Sequence, residues 1–274
     1  MNSLNLIWKA AAYTLLMLVL WMLANHFLTG GVWEGMEMSK SALTVEYCEQ
    51  NHCDRFFHQK MNSYSNLIYF FFGIWAILIS RRSSTHLLDN SPGAFYGLCM
   101  VYLAFGSCYF HASLTLPGQR VDMNATYAIN IALVGCNLAL LFPRFFRQEL
   151  TRLIYIPALF CVVLIFHPIS LLVSSSILLP SVILISLALQ IILYFVSKRN
   201  YRIYLVALSF ILLMIAFKIR QEDVNKGVIC EPNSWFQGHA LWHILTACSS
   251  FLSFIYLRFD RPSQSFMGRA DNWQ

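Results

Sequence analysis

Charged residues are scarce in this chain of 274 residues: 12% are charged, whereas 58% are hydrophobic and 15% are aromatic. An ordinary soluble domain carries roughly a quarter charged residues, so the deficit excludes that class and indicates that the bilayer is the solvent. The net charge of +6 does not indicate nucleic-acid binding, because the basic residues lie in short connections rather than on one face. The sequence also leaves no room for a soluble catalytic domain. Any chemistry must be carried out by side chains on membrane helices and their short links.

Long apolar stretches make up most of the chain, and a membrane-spanning helix needs about 20 such residues. Eight stretches are present: 10–28, 64–80, 92–112, 124–142, 153–173, 178–197, 202–219 and 236–257. The sequence predicts an all-α integral membrane bundle, with a seven-span core and one additional N-terminal span. We divide it into an N-terminal membrane anchor (1–30), an outer-side segment (31–63), a seven-helix membrane core (64–258) and a cytoplasmic tail (259–274). We call 31–63 the acidic segment after its carboxylates: Glu34, Glu37, Glu46, Glu49 and Asp54.

The first apolar stretch has two interpretations. Lys9 precedes a run that ends in the small residues Thr29, Gly30 and Gly31, a layout also found in cleaved signal peptides. The run is longer than a typical signal-peptide core and no A-x-A-like site follows it, so we expect an uncleaved anchor. In either case the other seven spans keep the same orientation.

The basic residues of alternate connections are distributed unevenly. The larger set shares its side with both termini: Lys9, Arg81, Arg82, Arg144, Arg147, Arg152, Lys198, Arg199, Arg202, Arg258, Arg261 and Arg269. The smaller set lies on the other side: Lys40, Arg55, Lys60, Arg120, Lys218, Arg220 and Lys226. Because Lys and Arg accumulate in cytoplasmic connections, both termini are predicted to be cytoplasmic.

Three histidines are predicted to lie at the outer membrane boundary. His239 and His243 are four residues apart in the first turns of the last span, so both project from one helix face. Such a pair alone is more often packed or interfacial than metal-binding. However, His111 closes the third span, which runs outward, and it therefore reaches the same level. Three imidazoles form a ligand set that leaves zinc a fourth position for water. We call His111, His239 and His243 the histidine triad.

Two further polar residues accompany the histidine triad. Ser107 lies one turn before His111 on the same face, and Asp122 lies at the start of the fourth span. One interpretation is that the positive end of the helix dipole favours a carboxylate at this position, without any catalytic role. The carboxylate belongs, however, to a polar stripe at helical spacing: Asp122, Thr126, Asn130 and Asn137. Such a stripe must face the bundle rather than lipid. The set predicts a hydrolase in which a metal activates water, a carboxylate takes its proton and the substrate is a lipid.

Two strings carry a family resemblance. The string GSCYFHASLTLPGQRVD at 106–122 resembles the Ser-x-x-x-His motif of alkaline ceramidases, which Asp follows eleven residues later, and GHALWHILT at 238–246 is close to their second metal motif. A weaker match is EYCEQN at 46–51 with NSYSNL at 62–67. The likeness covers about 46–258. The chain thus resembles the alkaline ceramidases, within the wider superfamily of seven-span membrane hydrolases.

The resemblance implies a role for each matching residue. The histidine triad would hold zinc, Asp122 would act as general base, and Ser107 would hydrogen-bond to the water or oxyanion. Trp242, between the last two histidines, would line the substrate pocket. The implied reaction is hydrolysis of the N-acyl bond of a ceramide-type sphingolipid to a fatty acid and a sphingoid base.

The family also binds calcium through its acidic segment. The resemblance assigns that role to three residues: Glu46, Glu49 and Asn51. Glu46 stands where the family has Asp, Tyr47 where it has Trp, and Gln59 or Lys60 replaces a later acidic ligand. Calcium needs several oxygen ligands and negative charge, so these departures predict a weakened site. The alternative is that the acids are solvated loop residues.

Three cysteines are predicted to lie on the outer side, in an oxidising compartment: Cys48, Cys53 and Cys230. One bridge among them is expected. The family resemblance points to Cys48 with Cys230, which would tie the acidic segment to the last span. Cys53 is an alternative partner, and free thiols are a further one.

Two other functions compete with a ceramidase. One is a related zinc hydrolase acting on another acyl lipid, such as a different amide or a glycerolipid ester. The other is a receptor or transporter in which the histidines bind a structural metal or relay protons. A structural zinc site is closed by a fourth protein ligand, whereas Ser107 and Asp122 suit a site that keeps water, which favours the enzyme.

Overall fold

The computed structural model describes residues 3–40, 42, 47–81, 91–146, 148–197, 202–224 and 227–259. The helices in these ranges are α1 Ser3–Phe27, α2 Lys60–Tyr64, α3 Leu67–Ser80, α4 Ser91–Ser113, α5 Leu116–Leu141, α6 Pro143–Phe146, α7 Glu149–Leu172, α8 Ser175–Ser197, α9 Ile203–Glu222 and α10 Gly238–Phe259. A short 3₁₀ helix covers Gly30–Trp33. Extended pairing in this part of the chain is limited to isolated bridges.

Eight segments of the described chain are long and apolar enough to cross a membrane, with α2 and α3 together forming one of them. The predicted all-α bundle of seven core spans and one N-terminal span is therefore confirmed. The division of the chain into four parts stays a prediction, and residues 260–274 of the proposed tail lie outside the described residues.

Helix α5 begins at Leu116, earlier than the apolar stretch that starts at 124. Thr115 caps the helix by accepting a hydrogen bond from the Gly118 N–H at 3.2 Å, and Pro117 occupies the first turn. Polar residues in the first turns hid this part of the helix from a count of apolar residues. As a result Asp122 lies within α5 rather than in a link.

The core is built on close contact between α3 and α4. A Cβ atom added to Gly73 would lie 2.7 Å from the Gly97 carbonyl oxygen, and one added to Gly97 would lie 2.6 Å from that of Gly73. Small residues that let two backbones approach this closely are typical of membrane helix pairs. Helix α4 also meets α10, where Tyr96 stacks on Phe254 with ring centroids 4.5 Å apart.

Helix α1 packs on the core. Trp21 is buried and makes edge contacts with Phe57 and Phe105, with centroids 6.1 and 6.2 Å apart. The Asn25 Oδ1 atom accepts a hydrogen bond from the Phe57 N–H at 3.2 Å. These contacts hold α1 against α4 and the acidic segment. That it is an uncleaved anchor stays a prediction.

The end of α4 and the start of α10 lie at one end of the bundle, which we call the histidine end. The turn between α4 and α5 contains Leu114, with a positive φ of 54°. The acidic segment pairs with this end: Met38 bridges to Thr115, and Tyr47 bridges to Val224 after α9. These bridges place the acidic segment against the histidine end.

Candidate metal centre

The histidine triad is one compact, buried group. His111 ends α4, and His239 and His243 occupy the first two turns of α10. Their ligand nitrogens all lie within 4.8 Å of one another, and the Nε2 atoms of His111 and His239 are 3.2 Å apart. All three side chains are at most 5% exposed. The structure thus brings together three residues that the sequence placed at one depth.

Hydrogen bonds orient two of the three rings. The Nδ1 atom of His111 is 2.7 Å from Oε1 of Gln59, a carbonyl oxygen that only accepts, so Nδ1 carries the proton and Nε2 keeps its lone pair. The Nδ1 atom of His243 is 2.8 Å from Oγ of Ser65. Partners of this kind fix the ring so that the inner nitrogen can bind a metal.

The start of α10 is held by a carboxylate that the sequence reasoning missed. Asp223 accepts hydrogen bonds from the backbone N–H groups of Gly238 at 3.0 Å and His239 at 2.8 Å. A carboxylate at this position satisfies two otherwise unpaired donors and complements the helix dipole. Asp223 therefore fixes the turn of helix that carries His239. Asp223 lies 15 residues before Gly238 in the sequence, so no local spacing marks it as the cap of α10.

Ser107 and Asp122 lie beside the histidine triad. The Oγ atom of Ser107 is 3.5 Å from Nε2 of His243, and the Ser107 side chain is within hydrogen-bonding range of the Asp122 carboxylate. Ser107 is buried and Asp122 is half-buried. The structure therefore places a hydroxyl beside His243 and a carboxylate beside that hydroxyl.

The rest of the predicted polar stripe serves α5 itself. Thr126 donates to the Asp122 carbonyl at 3.0 Å, Asn130 to the Thr126 carbonyl at 2.9 Å, and Asn137 to the Leu133 carbonyl at 2.8 Å. Within the stripe, Asp122 is thus the residue that the structure links to the histidine triad.

A family model described as Ceramidase matches residues 39–269. The chain belongs to the ceramidase family. The match begins within the acidic segment and contains α2 to α10, whereas α1 lies before it. A search of curated proteins finds no match.

Membership of the ceramidase family indicates the type of reaction. A ceramidase is a hydrolase that acts on the amide bond of ceramide, so the substrate is a membrane lipid. In this ceramidase the histidine triad could hold a metal ion. The eight apolar spans are compatible with an integral membrane enzyme.

An aromatic and cationic group flanks the histidine triad of this ceramidase. The Tyr47 ring packs on the rings of His239 and His111, with centroids 4.6 and 5.3 Å apart. Burial raises the pKa of Tyr47 to about 12, so it stays a neutral phenol, and Arg220 hydrogen-bonds to it. The Arg220 guanidinium also lies over the Trp242 ring, 5.6 Å from its centroid. In the sequence, Arg220 was counted only as one of the basic residues that set the orientation.

In the described part of the acidic segment, the predicted calcium ligands Glu49 and Asn51 already accept hydrogen bonds within the protein. Both carboxylate oxygens of Glu49 accept backbone N–H groups, from Met61 at 2.6 Å and Asn62 at 2.8 Å. The Asn51 Oδ1 atom accepts a hydrogen bond from Nε2 of Gln59 at 2.8 Å. Glu46 lies outside the described residues. The described part of the segment thus fits helix capping and support of His111 better than a hard cation, which wants several free oxygens and more charge.

The stability of this ceramidase is expected to depend on the ionisation of Glu49. Burial raises the pKa of Glu49 from 4.5 to about 7, so the folded chain holds this proton more tightly than the unfolded chain. The stabilising contribution is therefore complete below pH 4.5 and is lost as the pH rises through about 7. We expect the thermal unfolding midpoint of Glu49→Gln, minus that of wild type, to increase as the pH rises from 4.5 to about 7. Protonation of the histidine triad affects both proteins alike. A difference between the two midpoints that does not change with pH would therefore contradict the raised pKa of Glu49.

The structure pairs Cys48 with Cys230. Their Cα atoms are 5.3 Å apart and the two residues form a disulfide, whereas Cys53 is a free, exposed thiol. The Gln50 N–H also donates to the Pro232 carbonyl at 3.1 Å. The bridge thus joins the acidic segment to the link before α10, the pairing that the resemblance implied.

Proposed function

We propose that this ceramidase is a zinc-dependent amidase that cleaves the N-acyl bond of ceramide-type sphingolipids to a fatty acid and a sphingoid base. The main observation that supports this proposal is the buried histidine triad, with Ser107 beside His243 and Asp122 beside Ser107. Within the described residues this group of ligands contains no fourth His, Cys, Asp or Glu. Three protein ligands with one open position are typical of catalytic zinc, whereas structural zinc sites have four.

The donor set fits zinc. Three imidazoles in a buried site suit this borderline-soft ion, and the tautomer that Gln59 imposes on His111 leaves Nε2 free to bind. When bound, zinc supplies a Lewis acid and lowers the pKa of its water to about 7. Calcium is left out of the proposed chemistry, because the Glu49 and Asn51 oxygens already accept hydrogen bonds within the described acidic segment.

Asp122 performs the proton transfers in this proposal. Its carboxylate takes a proton from water as the water oxygen bonds to the amide carbon, and it returns the proton to the amine nitrogen as the C–N bond breaks. Ser107 lies between Asp122 and His243, where its hydroxyl orients the carboxylate or donates to the developing oxyanion. The released groups are a carboxylic acid and a free amine.

Trp242 is proposed to line the substrate pocket. It lies between His239 and His243 along α10 and is half-buried. The guanidinium of Arg220 holds one face of its ring. A ring fixed in this way next to the histidine triad would guide the polar end of a lipid that enters laterally from the bilayer.

The test is a combined metal and substrate assay on the purified, detergent-solubilised chain. We expect zinc to copurify, a chelator to abolish ceramide hydrolysis, and zinc but not calcium to restore it. The panel contains ceramides, another long-chain acyl amide and a glycerolipid ester. Hydrolysis of the ester in preference to ceramide would favour another lipid hydrolase, and bound zinc with no hydrolysis would favour a receptor or transporter.

We further propose that both termini are cytoplasmic and that the histidine end faces the opposite side of the membrane. In a background with Cys53→Ser and Cys161→Ser, which removes both exposed free thiols of the described residues, cysteines introduced at exposed Pro117, in the first turn of α5, and at Ser263, in the tail, should react with an impermeant maleimide from opposite sides. Gly118 is unsuitable, because a Cβ there would lie 2.9 Å from Oγ of Ser113. Labelling of both cysteines from one side would contradict the orientation.

A further inference from the structure

A cavity of about 270 Å³ lies between the first turns of α5 and the link that joins α7 to α8. Arg120, Met123 and Tyr127 line it from α5, and residues 170–175 line it from the link. Because α5 begins directly after the turn that follows His111, the cavity belongs to the histidine end of the bundle. It lies where α5 begins and α7 ends, so we place it at the boundary between bilayer and water.

This cavity is separate from the histidine triad. Arg120, Met123 and Tyr127 are three and four residues apart, so they share one face of α5. Asp122 is rotated by roughly half a turn from Arg120, so it projects from the opposite face. A ligand in the cavity would therefore not occupy the position of the amide substrate.

The cavity carries one uncompensated positive charge. Arg120 is the charged residue among those that line it, and it is half-buried. The structure describes no ion pair or hydrogen bond for its guanidinium. A guanidinium at this depth, where water is limited, favours an anionic partner that accepts several hydrogen bonds.

Neutral donors surround the same space. Ser174 and Ser175 stand at the start of α8, a helix of 23 residues whose N-terminal end favours negative charge. Tyr127 is fully buried, and its hydroxyl has no hydrogen-bond partner in the described structure. Buried hydroxyls are normally paired, so the unpaired one points to a missing polar group.

The rim of the cavity is apolar. Leu171 and Leu172 line it, and Leu172 is 88% exposed. A cation next to exposed leucines at the membrane boundary matches an amphiphile whose charged end enters the cavity and whose chain remains in the bilayer. An anion that is free in water has no acyl chain to contact the leucines at the rim.

We propose that this cavity binds the anionic headgroup of a membrane amphiphile, with Arg120 as its main ligand. The shared chemistry is an oxyanion on an acyl chain, supplied either by the phosphate of a glycerophospholipid or by the carboxylate of a fatty acid. The site gives the enzyme a second lipid contact, independent of the reaction at the histidine triad.

The experiment counts lipids that stay bound to the full chain. Wild type, Arg120→Gln and Lys218→Gln are reconstituted in phosphatidylcholine vesicles that contain either phosphatidylglycerol or oleate, and are then extracted and analysed by native mass spectrometry. Lys218→Gln is the matched control, because this substitution removes one exposed positive charge from α9 at the same end of the bundle. We expect Arg120→Gln to retain the anionic lipid about tenfold less than wild type, the effect of losing a charge-assisted hydrogen bond. Lys218→Gln should behave as wild type.

The two vesicle compositions distinguish the sources of the oxyanion. Selective loss of phosphatidylglycerol assigns a phosphate, selective loss of oleate assigns a carboxylate, and loss of both assigns a general oxyanion site. Equal retention by wild type and Arg120→Gln would overturn the proposal, as would equal losses in Arg120→Gln and Lys218→Gln. Arg120→Lys, which keeps the charge, should retain more lipid than Arg120→Gln, and unchanged thermal unfolding of the variants excludes misfolding as the cause.

Discussion

His111→Ala, His239→Ala and His243→Ala are each expected to lose bound zinc and to reduce ceramide hydrolysis to background. Three protein ligands are the smallest set that retains a catalytic zinc ion, so two imidazoles should not suffice. The triad is buried, and no other His, Cys, Asp or Glu in the described chain belongs to the same group of ligands. Zinc content per chain and turnover of a ceramide substrate are the two measurements.

The matched control is His167→Ala. His167 is an exposed histidine on α7, so its loss should change neither zinc content nor turnover. Thermal unfolding after zinc removal separates ligand loss from misfolding, because metal-free wild type and the metal-free variants should then unfold alike. A triad variant with full activity would refute the assignment of the site.

The histidine triad was predictable because its signal is local. His239 and His243 are separated by one helical turn, and His111 lies at the end of α4, a span that runs towards the same end of the bundle. Alternation of the spans then brings the end of α4 to the start of α10. No long-range contact had to be known to reach this result.

The groups that orient the triad were not predictable in the same way. Gln59 and Ser65 contact histidines that are 52 and 178 residues away in the chain. A single glutamine or serine has no spacing that marks it as the partner of a particular imidazole. Arg220 gave a local signal only as a basic residue near a membrane boundary, whereas its contacts with Tyr47 and Trp242 depend on the packing of three segments.

The membrane spans were predictable in number but less so in their limits. Apolar content identifies a segment that lies in the bilayer, but it misses helical turns that carry polar residues towards the protein interior. The early start of α5 is of this kind, because Gln119, Arg120 and Asp122 interrupt the apolar count. The count of apolar residues therefore missed the first turns of α5, which are the part of this helix that carries Asp122.

Asp122→Asn is expected to keep zinc and to lose turnover. Asparagine has nearly the same shape as aspartate, and its Oδ1 atom can accept the hydrogen bond that Ser107 makes with the carboxylate. The amide cannot take a proton from water, however, and general base catalysis contributes roughly 10²- to 10⁴-fold to the rate. The loss should appear in kcat, with little change in KM, because substrate binding does not need this proton transfer.

Asp54→Asn is the matched control for this prediction. It makes the same chemical change at an exposed carboxylate of the acidic segment, so zinc content and kcat should both be unchanged. Normal turnover of Asp122→Asn with bound zinc would show that another group is the base, and loss of zinc from Asp122→Asn would show that Asp122 supports the metal site instead. The triad variants lose zinc and turnover together, whereas Asp122→Asn should lose turnover alone, and this contrast separates binding of the metal from transfer of the proton.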